Sequence, residues 1–259
     1  MRYFLCLSYD GAAFCGWQIQ PSSPSVQACL EETLSRLLNR PVAVTGAGRT
    51  DTGVHAVNYV AHFDTDGPLP FEASDFIYKL NAMLPHGVAI ISVSEVPADL
   101  HARFSAKRRE YTYFIHRKKD PFVRNYSWLC GYPQLDFEAM NKACQYLLGT
   151  HDFSCFEKTG GDNKTSICTV FEAYWEPYVP TLASICHSGR SEESNYWYFR
   201  IAADRFLRNM VRATVGTLIE VGRGKHSPEW VAELVEKGTR SEAGESVPGN
   251  ALFLNKVLY

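Results

Sequence analysis

The chain has 259 residues, which is long for one small domain and fits two compact halves or one large domain. Hydrophobic residues make up 46% and charged residues 21%, so intrinsic disorder over most of the chain is excluded. The 26 Lys and Arg residues and the 28 Asp and Glu residues give a net charge of −2. A nucleic-acid partner would therefore have to be met by a local basic surface.

The composition also indicates the cellular compartment and whether a metal site is expected. No run of 18 or more apolar residues occurs, so no transmembrane helix is expected, and the apolar start is too short for a signal peptide. The eight cysteines form no Cys-x-x-Cys pair, and neither they nor the eight histidines show zinc-ligand spacing. We expect reduced core thiols in a cytoplasmic protein that holds no metal.

The first half alternates between strand and helix patterns. The predicted elements are a strand over 3–9, a helix over 26–38, a glycine-rich loop at 46–53, a strand over 54–63, a helix over 73–83 and a strand over 88–96. Ser25 is the expected N-cap of the first helix. This order predicts an α+β fold with helices on one face of a sheet.

The second half repeats the theme less regularly. The predicted elements are a strand over 111–115, a helix over 137–148, strands over 168–175 and 196–201, a long helix over 206–221, a helix over 228–237 and a strand over 252–258. The polar stretch 180–195 is expected to be a solvated hairpin loop. A basic segment near 103–110 is the candidate junction, so we expect domains over 1–104 and 105–259.

The segment from Gly46 to Ala56 carries the clearest chemical signal. Three glycines in its first eight positions let the backbone approach a ligand closely. Asp51 lies near Arg49, and a carboxylate beside a guanidinium stays ionised, which suits a nucleophile or a base. The spacing fits neither a Walker loop nor a dinucleotide-binding loop. From the residues alone, a tight turn with a structural Arg–Asp pair is favoured over catalysis.

Two other regions carry clustered positive charge. Eight basic residues interleave with aromatic residues between 103 and 124, which suits phosphates and stacked bases but also a solvated edge strand. Helical spacing over 204–222 places three arginines opposite the apolar face of the predicted long helix, where they fit an anionic partner or plain solvent exposure. These residues are Arg103, Lys107, Arg108, Arg109, Arg117, Lys118, Lys119 and Arg124 in the first region, and Arg205, Arg208 and Arg212 on the helix.

Taken together, these segments resemble the tRNA pseudouridine synthase A (TruA) family over nearly the whole chain. The likeness is carried, in order, by Tyr9-Asp10-Gly11 with Phe14, Gly16, Trp17 and Gln18; by Gly48-Arg49-Thr50-Asp51 with Gly53-Val54-His55-Ala56; by His101-Ala102-Arg103-Phe104-Ser105-Ala106 with Tyr111-Thr112-Tyr113; and by Phe206-Leu207 with Met210-Val211-Arg212 and Val215-Gly216. The chain departs from the family pattern at Thr52, at Ala251, in the segment 164–168, which lacks an arginine, and in the length of the loop 180–195.

The resemblance implies an isomerase that converts uridine to pseudouridine at positions 38, 39 and 40 in the anticodon stem-loop of tRNA. It implies no cofactor and no metal. The implied fold has two ferredoxin-like (RRM-like) halves, with mainly antiparallel sheets joined around a central catalytic cleft. A cytoplasmic homodimer is expected, with tRNA as the partner and without a membrane or a nucleotide cofactor.

The resemblance also implies residue roles. Asp51 would be the catalytic carboxylate, Tyr111 would stack on the target base and assist proton removal from C5, and Arg212 would pair with Asp51. Arg49 would help to expel and replace the flipped nucleotide, and Leu252 would pack under the base. Phosphate contacts are expected from the basic residues Arg103, Lys107, Arg108, Arg109, Arg205 and Arg208.

Three other interpretations share part of this pattern. A non-catalytic RNA-binding protein of the same fold would need the basic residues but not Asp51. A relative that acts on another RNA would carry the same reacting residues. A glycoside hydrolase would need two paired carboxylates, and the loop offers one.

Overall fold

The computed structural model describes residues 1–160, 164–180 and 195–259. The chain divides into two compact units, Met1–Arg109 with Phe253–Tyr259, and Glu110–Leu252. The predicted domain boundary, between residues 104 and 105, lies five residues before the observed division. The prediction also assigns the last seven residues to the second half, whereas the structure assigns them to the first unit. The predicted loop at 180–195 falls almost entirely on 181–194, outside the described residues.

Four long strands form the sheet of the first unit. They are β1 (Arg2–Tyr9), β3 (His55–Asp64), β4 (Val88–Val96) and β10 (Leu252–Leu258), whose first residue belongs to the second unit. A short strand, β2 (Thr45–Gly46), pairs with β3. Their order is β4-β1-β3-β10. β1 is antiparallel to both of its neighbours, whereas β10 runs parallel to β3. The sheet is therefore mixed, and its two inner strands are β1 and β3.

The alternation predicted for β1 is confirmed. Tyr3, Leu5, Leu7 and Tyr9 are buried, and the residues between them are half-buried. The last pair of the β1–β3 register joins Tyr9 to Ala56. The end of β1 therefore lies beside the beginning of β3, directly after the glycine-rich loop.

Two helices complete the first unit, α1 (Val26–Leu38) and α2 (Ala73–Met83), both at the predicted positions. The Ser25 hydroxyl accepts a hydrogen bond from the Ala28 N–H, which confirms the predicted N-cap. Asn39 ends α1 in a left-handed conformation with φ 51°. Apolar side chains spaced four residues apart are buried on each helix, as one face of a helix requires.

The described residues of the second unit form a sheet and three α-helices. Its strands are β5 (Arg108–His116), whose first two residues belong to the first unit, β6 (Trp128–Leu129), β7 (Gly149–Asp152), β8 (Ile167–Pro177) and β9 (Tyr196–Ala203). Its helices are α3 (Phe137–Cys144), α4 (Met210–Gly222) and α5 (Trp230–Lys237). The strand order is β5-β9-β8-β7, with β6 parallel to β5 at its side. Both units thus combine helices with a sheet, and the predicted α+β class is confirmed.

The long helix α4 begins four residues later than predicted. Asn209 precedes it with φ 65°, a left-handed conformation that cannot continue a helix. Before that point, the Asp204 carboxylate accepts hydrogen bonds from the Thr169 and Arg205 N–H groups. The placement of Arg205 and Arg208 on a helix face beside Arg212 is therefore wrong, because only Arg212 lies on α4.

The predicted amphipathic character of α4 is also wrong. Eleven of its thirteen residues are buried, so this helix is enclosed by the second unit instead of presenting a basic face to solvent. Arg212 and Glu220 are the half-buried exceptions.

Membrane and metal features were searched over the described ranges. No helix there combines the length and the apolar composition that a membrane crossing requires. The same ranges bring no three His, Cys, Asp or Glu side chains together as possible metal ligands. All seven described cysteines are free thiols, of which four are buried and three are half-buried.

Candidate active site

The loop that carries Asp51 connects β2 to β3 in the first unit. It begins at Ala47, whose N–H donates to the Val60 carbonyl oxygen at 2.8 Å. It ends in a turn in which the Val54 N–H donates to the Asp51 carbonyl oxygen at 3.1 Å. Gly53 completes this turn with φ 78°, a conformation that favours glycine. The backbone around Asp51 is thus fixed by its own hydrogen bonds.

Exposure alternates along the middle of the loop. Arg49 is exposed, Thr50 is buried, Asp51 is half-buried and Thr52 is exposed. The carboxylate of Asp51 is therefore partly accessible, while the residue before it belongs to the interior. This arrangement suits a group that must be both held and reached by a ligand.

Two side chains from outside the loop hold its first half. The fully buried Tyr59 hydroxyl donates to the Gly48 carbonyl oxygen and accepts from the Gly48 N–H. The Arg109 guanidinium donates to the Ala47 carbonyl oxygen through Nη2 at 3.0 Å and through Nε at 3.3 Å. Tyr59 also stacks on Trp17, with ring centroids 4.2 Å apart. The loop thus rests on a rigid aromatic support.

His55 supports the loop from the beginning of β3. Its buried ring stacks on Phe253, with centroids 4.5 Å apart. Its Nδ1 accepts from the Gly11 N–H at 3.0 Å and lies 3.0 Å from Asp10 Oδ1. His55 thereby ties the segment after β1 to β3.

The basic residues of the first unit have two different environments. Arg103 and Lys107 are exposed, and Arg108 is half-buried. Nδ1 of His101 accepts from the Arg103 N–H at 3.0 Å, and burial together with the charge of Arg2 lowers the pKa of His101, which favours this neutral acceptor. Arg109 instead donates to backbone carbonyl oxygens of the loop, a structural contact that sequence reasoning did not anticipate.

Tyr111 and Arg212 lie in the second unit. Tyr111 is a buried residue of β5, and its ring meets the Phe206 ring edge-on, with centroids 5.0 Å apart. Arg212 lies in the first turn of α4, and its Nε donates to the Val247 carbonyl oxygen at 2.7 Å. The Val247 N–H donates back to the Arg212 carbonyl oxygen at 3.3 Å. Both predicted site residues are thus held by defined neighbours.

The segment that leads into β10 is anchored close to Arg212. The Tyr113 hydroxyl donates to the Pro248 carbonyl oxygen at 2.9 Å, and burial strongly raises the pKa of Tyr113, so this hydroxyl stays a donor. Leu252 follows as the buried first residue of β10. These contacts fix the backbone of residues 247–252 within the second unit.

The other two arginines of the second unit lie before α4. Arg208 is exposed, with Nη1 3.4 Å from the Thr159 and Gly160 carbonyl oxygens. Arg205 is half-buried directly after Asp204. Neither residue lies on a helix, although both precede Arg212 by fewer than eight residues in the chain.

The structure thus places Arg49 and Asp51 in one loop of the first unit, and Tyr111, Arg212 and Leu252 in the second unit. Sequence reasoning missed the residues that hold them, above all Tyr59, Phe206 and Val247. These contacts join residues far apart in the chain, so no local periodicity signals them.

Comparison with known proteins gives a full-length likeness. A family model described as tRNA pseudouridine synthase matches residues 5–105 and 143–259, which include Asp51, Arg212 and Leu252 but not Tyr111. The chain is 45% identical over 258 residues to tRNA pseudouridine synthase A of Porphyromonas gingivalis, with 100% of this chain and 97% of the relative covered. It is 46% identical over 259 residues to tRNA pseudouridine synthase A of Bacteroides fragilis, with 100% and 96% covered. It is 39% identical over 257 residues to tRNA pseudouridine synthase A 2 of Clostridium perfringens, with 98% of each covered.

Proposed function

The chain belongs to the tRNA pseudouridine synthase family, and we propose that it converts uridine to pseudouridine at positions 38, 39 and 40 in the anticodon stem-loop of tRNA. Members of this family are isomerases, and this chain is one of them. The proposed conversion is supported above all by the loop around Asp51, which lies within the matched range. In this loop Asp51 is half-buried and the nearby Arg49 is exposed.

The reaction rearranges one nucleotide without gaining atoms. The N1–C1′ bond breaks, the uracil turns, C5 joins C1′, the C5 proton leaves, and N1 takes up a proton. Asp51 starts this sequence either by attacking C1′ or by removing a sugar proton to give a glycal. Both routes need an ionised carboxylate, which a neighbouring Arg212 guanidinium would favour. No redox cofactor takes part, because no electrons enter or leave.

Tyr111 holds the detached base while it turns. A flat aromatic ring stacked on uracil restrains tilt but leaves rotation in the plane of the base free. The edge-on contact with Phe206 keeps the Tyr111 ring in one orientation. Tyr111 also assists removal of the C5 proton, and Leu252 packs an apolar side chain under the base.

Access to a base inside an RNA stem requires flipping, which costs a few kcal/mol. The exposed side chain of Arg49 would fill the place of the flipped nucleotide. Phosphate contacts from basic residues offset the cost and make binding salt-sensitive. The residues proposed for these contacts are Arg103, Lys107, Arg108, Arg109, Arg205 and Arg208. Because Arg109 already donates to backbone carbonyl oxygens, its share of the RNA affinity is smaller than that of Arg103.

We propose that both units are ferredoxin-like, the first carrying Asp51 and the second carrying Tyr111 and Arg212. We propose a cytoplasmic homodimer in which one subunit holds the body of the tRNA while the other modifies it. Mixed dimers with one inactivated cleft test this arrangement. Half of the wild-type activity on every tRNA supports it, and full activity from a monomer contradicts it.

The activity is tested with unmodified tRNA transcripts that carry tritium at C5 of uridine. Tritium is released after C5 has joined C1′, when the C5 hydrogen leaves, and the modified positions are then mapped in the product. The wild-type protein is expected to form pseudouridine at positions 38–40 without an added cofactor. Asp51→Asn is expected to form none while it keeps its affinity for tRNA.

A matched control replaces a carboxylate away from the loop. Asp66 is almost fully exposed and bonds Arg40, so Asp66→Asn should keep wild-type activity. Product formed by Asp51→Asn at the wild-type rate would contradict the role of the carboxylate. Tight tRNA binding without product from the wild type would favour the non-catalytic RNA-binding interpretation.

A further inference from the structure

Thr50, the residue before Asp51, is held by two aromatic residues of the interior. Its hydroxyl oxygen lies 2.9 Å from the Tyr9 hydroxyl oxygen. Its carbonyl oxygen accepts a hydrogen bond from the backbone N–H of Trp17 at 3.2 Å. Tyr9, Trp17 and Thr50 are 4%, 2% and 8% exposed. Water therefore does not compete for these two hydrogen bonds, and they are stronger than surface ones.

These contacts determine the position of Asp51 through covalent geometry. The Thr50 carbonyl group lies in the peptide plane that joins Thr50 to Asp51, and a peptide plane moves as one rigid body. The backbone N–H of Trp17 fixes that plane, and the Tyr9 hydroxyl fixes the Thr50 side chain. Because the carbonyl group and the side chain of Thr50 are both held, the Cα of Asp51 has little freedom to move.

The close approach behind this arrangement depends on Gly16. Its φ is 92°, and a Cβ added there would lie 2.4 Å from the Thr50 carbonyl oxygen. Only glycine lets the segment before Trp17 lie this close to the loop. The close packing of the Gly16 backbone on Thr50 therefore depends on a glycine at position 16.

The Tyr9 hydroxyl is separable from the rest of its side chain. The ring packs against Trp17 and Tyr59, with centroids 6.2 and 5.5 Å away, and phenylalanine would keep this packing. We propose that Tyr9 is a positioning residue, whose hydroxyl holds Thr50 and thereby keeps the Asp51 carboxylate in its reactive place. This inference rests on the proposed function, in which Asp51 is the catalytic carboxylate.

The test compares Tyr9→Phe and Thr50→Val in the tritium-release assay. Because a misplacement of a fraction of an ångström slows a reaction, each variant is expected to lower kcat about tenfold. The KM for tRNA should stay within about twofold, since neither hydroxyl is accessible to RNA. The double variant should fall no further than either single one, because both changes remove the same hydrogen bond.

Tyr3→Phe is the matched control. Tyr3 also lies on β1, is 6% exposed, and its hydroxyl accepts from the Leu69 N–H at 3.3 Å, away from the Asp51 loop. Its loss of stability should be similar to that of Tyr9→Phe, but kcat should stay at the wild-type value. Thr50→Ser keeps the hydroxyl and should retain more of kcat than Thr50→Val.

The outcomes separate this inference from the proposed function. If Asp51→Asn is inactive but Tyr9→Phe matches Tyr3→Phe in kcat, the positioning role is wrong and the proposed function stands. If the losses in Tyr9→Phe and Thr50→Val multiply in the double variant, the shared hydrogen bond is not the cause. If Asp51→Asn stays active, both proposals are wrong.

Discussion

Replacing Gly46 with alanine is expected to displace the loop that carries Asp51. A Cβ added at Gly46 would lie 2.1 Å from the Tyr59 hydroxyl oxygen and 2.5 Å from Cε2 of Trp17. Both rings are buried and stack on each other, so neither can rotate away. The backbone at Gly46 must move instead, and the residues after it move with it.

The size of this effect follows from the distances. Ordinary contact begins at 3.4 Å, so the backbone or the rings must shift by about 1.3 Å. Overpacking of this kind costs about 1–3 kcal/mol of unfolding free energy. For a chain of this length, each kcal/mol lowers Tm by about 2–4 °C. Because a 1 Å misplacement of a reacting group can cost about 100-fold, we expect kcat to fall between about 10- and 100-fold.

Thermal unfolding and the tritium-release assay measure both effects. Gly48→Ala is the control, because a Cβ at Gly48 meets nothing within 4 Å. We expect Gly48→Ala to change the unfolding free energy by less than about 0.5 kcal/mol. If Gly46→Ala unfolds at the wild-type temperature and keeps the wild-type kcat, the stacked rings do not set the position of the loop, and the reasoning is refuted.

Two further predictions concern stability. Asn209→Ala should lower the unfolding free energy by about 1–2 kcal/mol in urea titrations, because φ is 65° and the side chain donates to Ser246, whereas Asn209→Gly should lose less; equal losses would contradict the role of backbone strain. Burial, and secondarily the charge of Arg2, lowers the pKa of His62 to about 4. Between about pH 6.5 and 4 the unfolded chain therefore binds a proton that the folded chain does not, and stability should fall by about 1–3 kcal/mol as the pH drops. His62→Asn should flatten this part of the stability curve, and an unchanged slope would show that His62 is not the cause.

The local elements of this protein follow from local sequence. α2 and β4 have the predicted bounds, and α1 begins directly after its Ser25 cap. Strand alternation in β1 agrees with the observed burial. These features depend on side chains a few residues apart, since periodicity and capping act over one or two turns.

The beginning of α4 could not be read from the same signals. The apolar spacing of the helix continues N-terminally through Leu207, and it therefore predicts a helix that begins at Phe206. The structure replaces its first turn with a segment held by the hydrogen bond from the Thr169 N–H to Asp204, and with a left-handed Asn209. Thr169 is 35 residues from Asp204, and a contact at that separation leaves no periodic pattern.

The sequence alone identified Asp51 as the residue to examine, through its glycine-rich loop and through the resemblance that those motifs carry. The residues alone favour a structural turn at Arg49 and Asp51, whereas the resemblance favours a catalytic Asp51. Only the tertiary structure decided how the loop is held, by Tyr59 at Gly48, by Tyr9 at Thr50 and by Arg109 at Ala47. The physical reason is that these hydrogen bonds join residues 11, 41 and 62 positions apart, where only folding brings donor and acceptor together.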